Sequence, residues 1–193
     1  MTQPPPAPQR VFLFLQGPHG PFFSQLARQL QNAGAETWRV GFNAGDRAFW
    51  SQRATYIPYR KSPEHWAATL QDILANKRVT DLVLYGDTRP IHAQAAELAR
   101  EKSLRLHVFE EGYLRPYWVT YELGGSNGHS RLMDLSVARI KSLRQSRQFD
   151  PPVPPGHWGD MRQHIFYGAA YHWCVLALNR SYPHFRPHRS LNV

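Results

Sequence analysis

A chain of 193 residues with a formal net charge of +9 and a sequence pI near 10.0 suits one compact domain plus an appendage, with anionic partners such as a phospholipid surface, a nucleotide-sugar or an acidic glycan. Its single cysteine, Cys174, excludes an internal disulfide and a four-cysteine zinc site and fits a reducing cytoplasm. Residues 1–9 are proline-rich and polar, without the apolar core of a secretory signal, and read as a disordered leader; no run approaches the roughly 18 apolar residues of a spanning helix.

Residues 10–148 read as one Rossmann-like α/β domain. Residues 10–15 (Arg-Val-Phe-Leu-Phe-Leu) are the continuous apolar run of a strand buried on both faces. Gln16-Gly17-Pro18-His19-Gly20-Pro21 breaks it, and a helix is expected from Pro21 to Gly34, with Phe22, Phe23, Leu26, Leu30 and Ala33 inward. Thr37 to Val40 predicts a second strand, Asn43 to Asp46 a turn, and the stretch around Ile57 a short third strand broken by Pro58. Ser62-Pro63-Glu64 is a helix start with a capping serine, followed by the stripe Trp66, Leu70, Ile73 and Leu74. A strand over 81–85 leads through Gly86-Asp87-Thr88-Arg89 into a helix over 90–102. A last strand runs from about Leu104 into Glu110 and Glu111. This alternation argues for a parallel sheet with helices on both faces.

Beyond Pro116 the pattern changes. An aromatic, β-branched stretch precedes a flexible loop over 124–129. Leu132, Leu135, Ile140 and Leu143 then have helical spacing beside Arg131, Arg139, Lys141, Arg144 and Arg147. Such a basic face is a solvated surface or a rest on anionic lipid. Residues 149–159 read as a proline-rich linker. Residues 160–193 read as an aromatic helix with nothing left to pack on, leading to a second domain missing from the chain.

Ligands of an open α/β sheet sit beyond the carboxyl ends of its strands, so the candidate site lies in three loops. Gln16, Gly17, His19 and Gly20 join a buried strand to a helix start, where an anion can sit, or form a tight turn chosen for shape. Pro18 and Pro21 remove N–H donors, so the loop is neither a P-loop nor a dinucleotide fingerprint. Asp87 is a candidate substrate contact, or it or Thr88 caps the next helix, and Arg89 is a bidentate anion contact or a solvated arginine. Glu110 and Glu111 are adjacent carboxylates, an arrangement that favours acid/base work; in extended backbone they face opposite sides, so only one aims at a substrate. Tyr113, which follows them, is a candidate substrate contact, and Arg115 either pairs with a glutamate or binds an acidic substrate. The histidines lack metal-ligand spacing, and no nucleic-acid-binding signature is present.

These motifs, in order, carry a resemblance. Phe14-Leu15-Gln16-Gly17-Pro18 with Gly20 and Phe22-Phe23, then Tyr85-Gly86-Asp87-Thr88-Arg89, then Phe109-Glu110-Glu111-Gly112-Tyr113-Leu114-Arg115-Pro116, resemble the bacterial capsule polysaccharide synthesis/export family of the KpsS/LipB type. The resemblance implies one half of a two-domain GT-B-like glycosyltransferase, cytoplasmic and peripheral at the inner membrane of a Gram-negative bacterium. It implies a β-Kdo transferase that uses CMP-Kdo as donor, needs no further cofactor, and builds a capsule linker on a phosphatidylglycerol-type lipid alongside other capsule synthesis and export proteins. Glu111 is the position matching the family's acid at the anomeric centre, as nucleophile, base or stabiliser. The family's His-Pro donor motif has no counterpart here, which implies an N-terminal, acceptor-side half. The alternative of another class is a non-catalytic glycan- or lipid-binding component of the export machinery. A nucleotide-sugar epimerase is a weaker third.

Overall fold

The computed structural model describes residues 9–112, 118–145 and 159–186. A six-stranded sheet is built from β1 (Val11–Phe14), β2 (Glu36–Gly41), β3 (Tyr56–Pro58), β4 (Asp81–Tyr85), β5 (Arg105–Glu111) and β6 (Val119–Leu123), in the order β3-β2-β1-β4-β5-β6. The first five strands are parallel. The chain steps outward from β1 to β3, then returns to lay β4 beside β1 on the other side. Strand order therefore reverses between β1 and β4, the switch point where such sheets open a crevice.

The pleat of β1 explains both layers. Val11, Leu13 and Leu15 point into one core with Leu82, Leu84, Leu106 and Val108. Against them lie α3 (Trp66–Asn76) through Trp66, Leu70 and Leu74, and α4 (Pro90–Glu101) through Ala95, Ala96, Leu98 and Ala99. Phe12 and Phe14 point the other way, to Phe23 and Ala27 of α1 (Phe22–Asn32) and to Trp50. Successive residues of a strand alternate faces, so an unbroken apolar run fills two layers.

Several local expectations shift. Ala33 is exposed and Ala27 takes its place inward on α1. The turn at Asn43 opens a one-turn helix, α2 (Ala44–Ala48), because the Asn43 side chain accepts from the Asp46 N–H at 2.8 Å. Ser62 makes no cap; its hydroxyl donates to Glu64 instead, and a 3-10 turn over Pro63–His65 precedes α3. The stretch after residue 117 adds β6 as an antiparallel edge strand, so β5 is not the last strand and the sheet is mixed. The loop after β6 closes into a 3-10 turn, Asn127–His129. The basic segment forms α5 (Val137–Gln145), all of it exposed. The last helix, α6 (Arg162–Leu178), does have a surface to pack on: it lies against α2.

The opposite ends of the strands are held by one carboxylate. Asp81 opens β4 with its side chain fully buried. It accepts from Arg10 and from the Thr80 hydroxyl at 2.6 Å, and its Oδ1 lies 2.8 Å from Nε2 of His107 on β5. Burial alone would raise its pKa, but the bonds from His107, Arg10 and Thr80 hold it well below the carboxylate range. A depressed carboxyl stabilises the fold above its unfolded pKa near 4 and loses that contribution as the pH falls. Asp81→Asn is expected to cost about 2–3 kcal/mol at pH 7, with the gap to wild type closing below pH ~4. Urea unfolding at pH 7 and pH 3 checks both.

Candidate functional site

The carboxyl ends of β1 and β4 are tied across the switch point. Arg89, leading into α4, donates from Nη1 to Gln16 Oε1 at 3.1 Å. Gln16 turns inward behind β1 and donates from Nε2 to the hydroxyl of Tyr171 on α6, 3.3 Å away. That hydroxyl also accepts from Asn43 Nδ2 at 2.7 Å and donates to Asp46 Oδ1 at 3.2 Å. One donor and two acceptors are the whole capacity of a phenol, so the Tyr171 hydroxyl is saturated. Asp46 is also met by Arg39 Nη2 at 3.1 Å and by the Phe42 N–H at 2.9 Å. Burial pushes the Asp46 carboxyl up, against Arg39, the Phe42 N–H and Tyr171. Burial, then Asp46, pushes the Tyr171 phenol far above its usual range, so it stays a donor.

Around this network α6 settles as a roof. Gly20 has φ +108°, and a Cβ there would lie 3.2 Å from the Tyr167 ring. A Cβ on Gly45 of α2 would lie 2.6 Å from the Tyr171 ring, so only glycine permits this approach. Just past α6, Asn179 accepts from the Ala44 N–H at 3.0 Å, and the hydroxyls of Tyr182 and Tyr56 meet at 2.9 Å. His164, Tyr167, Gly168 and Tyr171 recur at helical spacing on the inward face. Ile165, Phe166, Trp173, Leu176 and Leu178 remain exposed.

The two glutamates separate as strand parity requires. Residues 105–111 stay extended, with Glu110 opposite Thr120 and Glu111 opposite Val119. Glu111 faces α6, its Oε1 lying 3.7 Å from Nε2 of His164. The same His164 Nε2 is 3.4 Å from Nε2 of His19, and the rings meet edge to face. Burial first, then His164, lowers the His19 pKa, with Glu111 opposing. Glu110 faces the other way and accepts from Ser126 Oγ at 2.9 Å and from Asn127 Nδ2. Asp87, also on that side, accepts from the Ser126 N–H at 3.0 Å and from His129 Nδ1 at 3.1 Å. Glu110 and Asp87 thus hold the 124–130 loop. Neither Asp87 nor Thr88 caps α4, whose N-cap is Arg89 without a side-chain bond.

The remaining expected residues fall as follows. Gly17 gives room to Phe23, 2.6 Å from where its Cβ would be. Tyr113 and Arg115 lie outside the described residues, as does Arg147. Sequence reasoning passed over His164, Tyr171, Asn43 and Asp46; the spacing of His164, Tyr167 and Tyr171 was the available signal. It also passed over His92, fully buried at the start of α4, whose Nδ1–H donates to the Gly86 carbonyl at 2.7 Å. Among the described residues no group of three His, Cys, Asp or Glu side chains could hold a metal ion, and no helix is long and apolar enough to cross a membrane.

A family model described as "Capsule polysaccharide biosynthesis protein" matches residues 80–193. The chain is 35% identical over 147 residues to the capsule polysaccharide export protein KpsS of Escherichia coli, a match covering 71% of this chain and 38% of that protein. It is 32% identical over 185 residues to the capsule polysaccharide modification protein LipB of Neisseria meningitidis serogroup B, covering 94% of this chain and 43% of that protein. A serogroup A LipB matches at 32% over 186 residues, with the same coverage. The chain therefore spans about two fifths of the length of these curated relatives.

Two outcomes are expected of this geometry. Tyr171→Phe leaves Gln16, Asn43 and Asp46 short of a partner in a buried place, at a cost of about 1–3 kcal/mol. Limited trypsin digestion should then cut faster at Arg162 and Arg180, which flank most of α6. The second concerns His92, whose burial lowers its pKa to about 3, with Arg89 adding to the effect. The unfolded chain takes up a proton near pH 6.5 while the folded chain refuses it, so stability falls as the pH drops below about 6.5. His92→Asn keeps a donor for Gly86 and should flatten that limb, a slope of up to about 1.4 kcal/mol per pH unit, read by denaturant unfolding at pH 7 and 5.

Proposed function

The chain belongs to the capsule polysaccharide biosynthesis family, and from that premise we propose that the full-length protein is a glycosyltransferase moving β-Kdo from CMP-Kdo to a phosphatidylglycerol-type lipid. The observation that carries this reading is Glu111. Its carboxylate stands at the carboxyl end of β5, partly open to solvent, with a histidine at its edge. Glycosyl transfer needs a carboxylate at the anomeric centre that the substrate can reach. Asp46 is fully buried against Arg39, while Glu110 and Asp87 are occupied with the 124–130 loop. His19 and Arg89 would line the acceptor side of the crevice over the buried Gln16, Gly17 and Gly20, and Tyr113 and Arg115 follow Glu111 in the chain.

The acceptor lipid also suits the outer surface. Leu132, Met133, Val137 and Ile140 are exposed among Arg131, Arg139, Lys141 and Arg144. Apolar side chains interspersed with cations suit the interface of an anionic bilayer, which favours a peripheral position at the inner membrane among the other capsule synthesis and export proteins. A second reading is a non-catalytic, glycan- or lipid-binding part of the export machinery. The absence of a His-Pro donor motif from this chain favours it for the segment taken alone.

The test uses the full-length protein with CMP-Kdo and a lysophosphatidylglycerol acceptor. Glu111→Gln is expected to lower turnover by at least ~10²-fold. Turnover at the wild-type rate would remove Glu111 from the chemistry.

A further inference from the structure

Glycosyl transfer to a hydroxyl leaves a proton to be placed. One C–O bond forms between the acceptor oxygen and the anomeric carbon. The bond from that carbon to the phosphate oxygen breaks, its electron pair leaving with the nucleotide. The acceptor's O–H bond also breaks, and its proton must pass to a base within reach of the reacting atoms. A hydroxyl attacking beside Glu111 lies within reach of His164, because Nε2 of His164 is 3.7 Å from Glu111 Oε1. Building on the transferase reading of Glu111, we propose that His164 of α6, backed by His19, is the base that takes this proton, leaving Glu111 to act at the anomeric carbon.

The geometry between the two rings supports this assignment. Their Nε2 atoms face each other at 3.4 Å, so one nitrogen carries the hydrogen and the other presents a lone pair. At 3.4 Å the contact is long for a hydrogen bond and yields to a better donor. An incoming hydroxyl can give its proton to that lone pair, and the imidazolium so formed is held by the Glu111 carboxylate beside it. Among the described residues, the charged or titratable groups acting on the pair are Glu111 from β5 and His172 on α6. Burial keeps His19 neutral near pH 7, with His164 acting in the same direction and Glu111 against it. The other histidines near the strand ends are committed elsewhere. His129 meets Asp87 on the opposite side of the sheet, and His92 is buried behind Gly86.

The experiment is the pH profile of kcat and KM for the full-length protein with CMP-Kdo and lysophosphatidylglycerol, from pH 5 to 8. Wild type should lose rate toward acid pH as the pair takes up a proton. His164→Gln keeps an amide nitrogen near the Nε2 position but has no basic lone pair. It should lower kcat by roughly 10²-fold with little change in KM, and its acid limb should vanish. Tyr171→Phe loosens α6 but keeps both imidazoles, so its kcat should fall while its acid limb remains. Wild-type kcat in His164→Gln, a lowered kcat in that variant that keeps the acid limb, or a wild-type profile without one would overturn the proposal. Where His164→Gln fails to fold, His19→Gln is read by the same criteria. Glu111→Gln in parallel separates the two ideas. An active Glu111→Gln removes the underlying transferase site, whereas an inactive one beside an unaltered His164→Gln profile removes the histidine base alone.

Discussion

The strand-end architecture depends on how one phenol hydroxyl is shared. Tyr171 accepts from Gln16 and Asn43 and donates to Asp46, which joins the loop after β1, the cap of α2 and the buried Arg39–Asp46 pair to a helix more than 120 residues further along the chain. Remove that hydroxyl and three buried polar groups lose a partner at once. The same contact sets the height and rotation of α6, and so places His164 against Glu111. A buried polar network of this kind is stiff when every member is satisfied and costly when one is not.

The second constraint is the period of a strand. Adjacent carboxylates in a turn would compete for the same volume. In β5 they fall on opposite faces and into unlike surroundings. Glu110 looks toward Ser126 and Asn127 and helps to fold a loop. Glu111 looks toward His164 at the carboxyl end of the strand. The alternation that sends Phe12 and Leu13 to different cores thus gives the two acids different neighbours.

Much of this was legible in the sequence, and the exceptions have physical causes. The buried run at 11–14, the stripe of Trp66, Leu70 and Leu74, and the alternation of strand and helix gave the α/β architecture, because burial leaves a periodic trace. The opposite facing of Glu110 and Glu111 was legible from the same pleat. The antiparallel pairing of β6 was not, because the alternation of Val119, Tyr121 and Leu123 with polar residues marks a strand but neither its partner nor its direction. The contact face of α6 was hidden for a related reason. Its inward residues are His164, Tyr167, Gly168 and Tyr171, polar, aromatic or small, while its most apolar residues face outward. A pattern of hydrophobicity then points to the wrong side. Asp87 could be read as a cap because its type suits one. Only the return of the 124–130 loop in space supplies the Ser126 N–H that claims it.

Tyr171 docks α6 on the strand ends and so brings it to the candidate site. Native-state hydrogen exchange measures this directly. Amides of residues 166–178 should exchange with protection comparable to that of β4, and Tyr171→Phe should lower the protection of α6 while leaving β4 protected. An α6 that exchanges at nearly unprotected rates while the sheet stays protected would contradict the account.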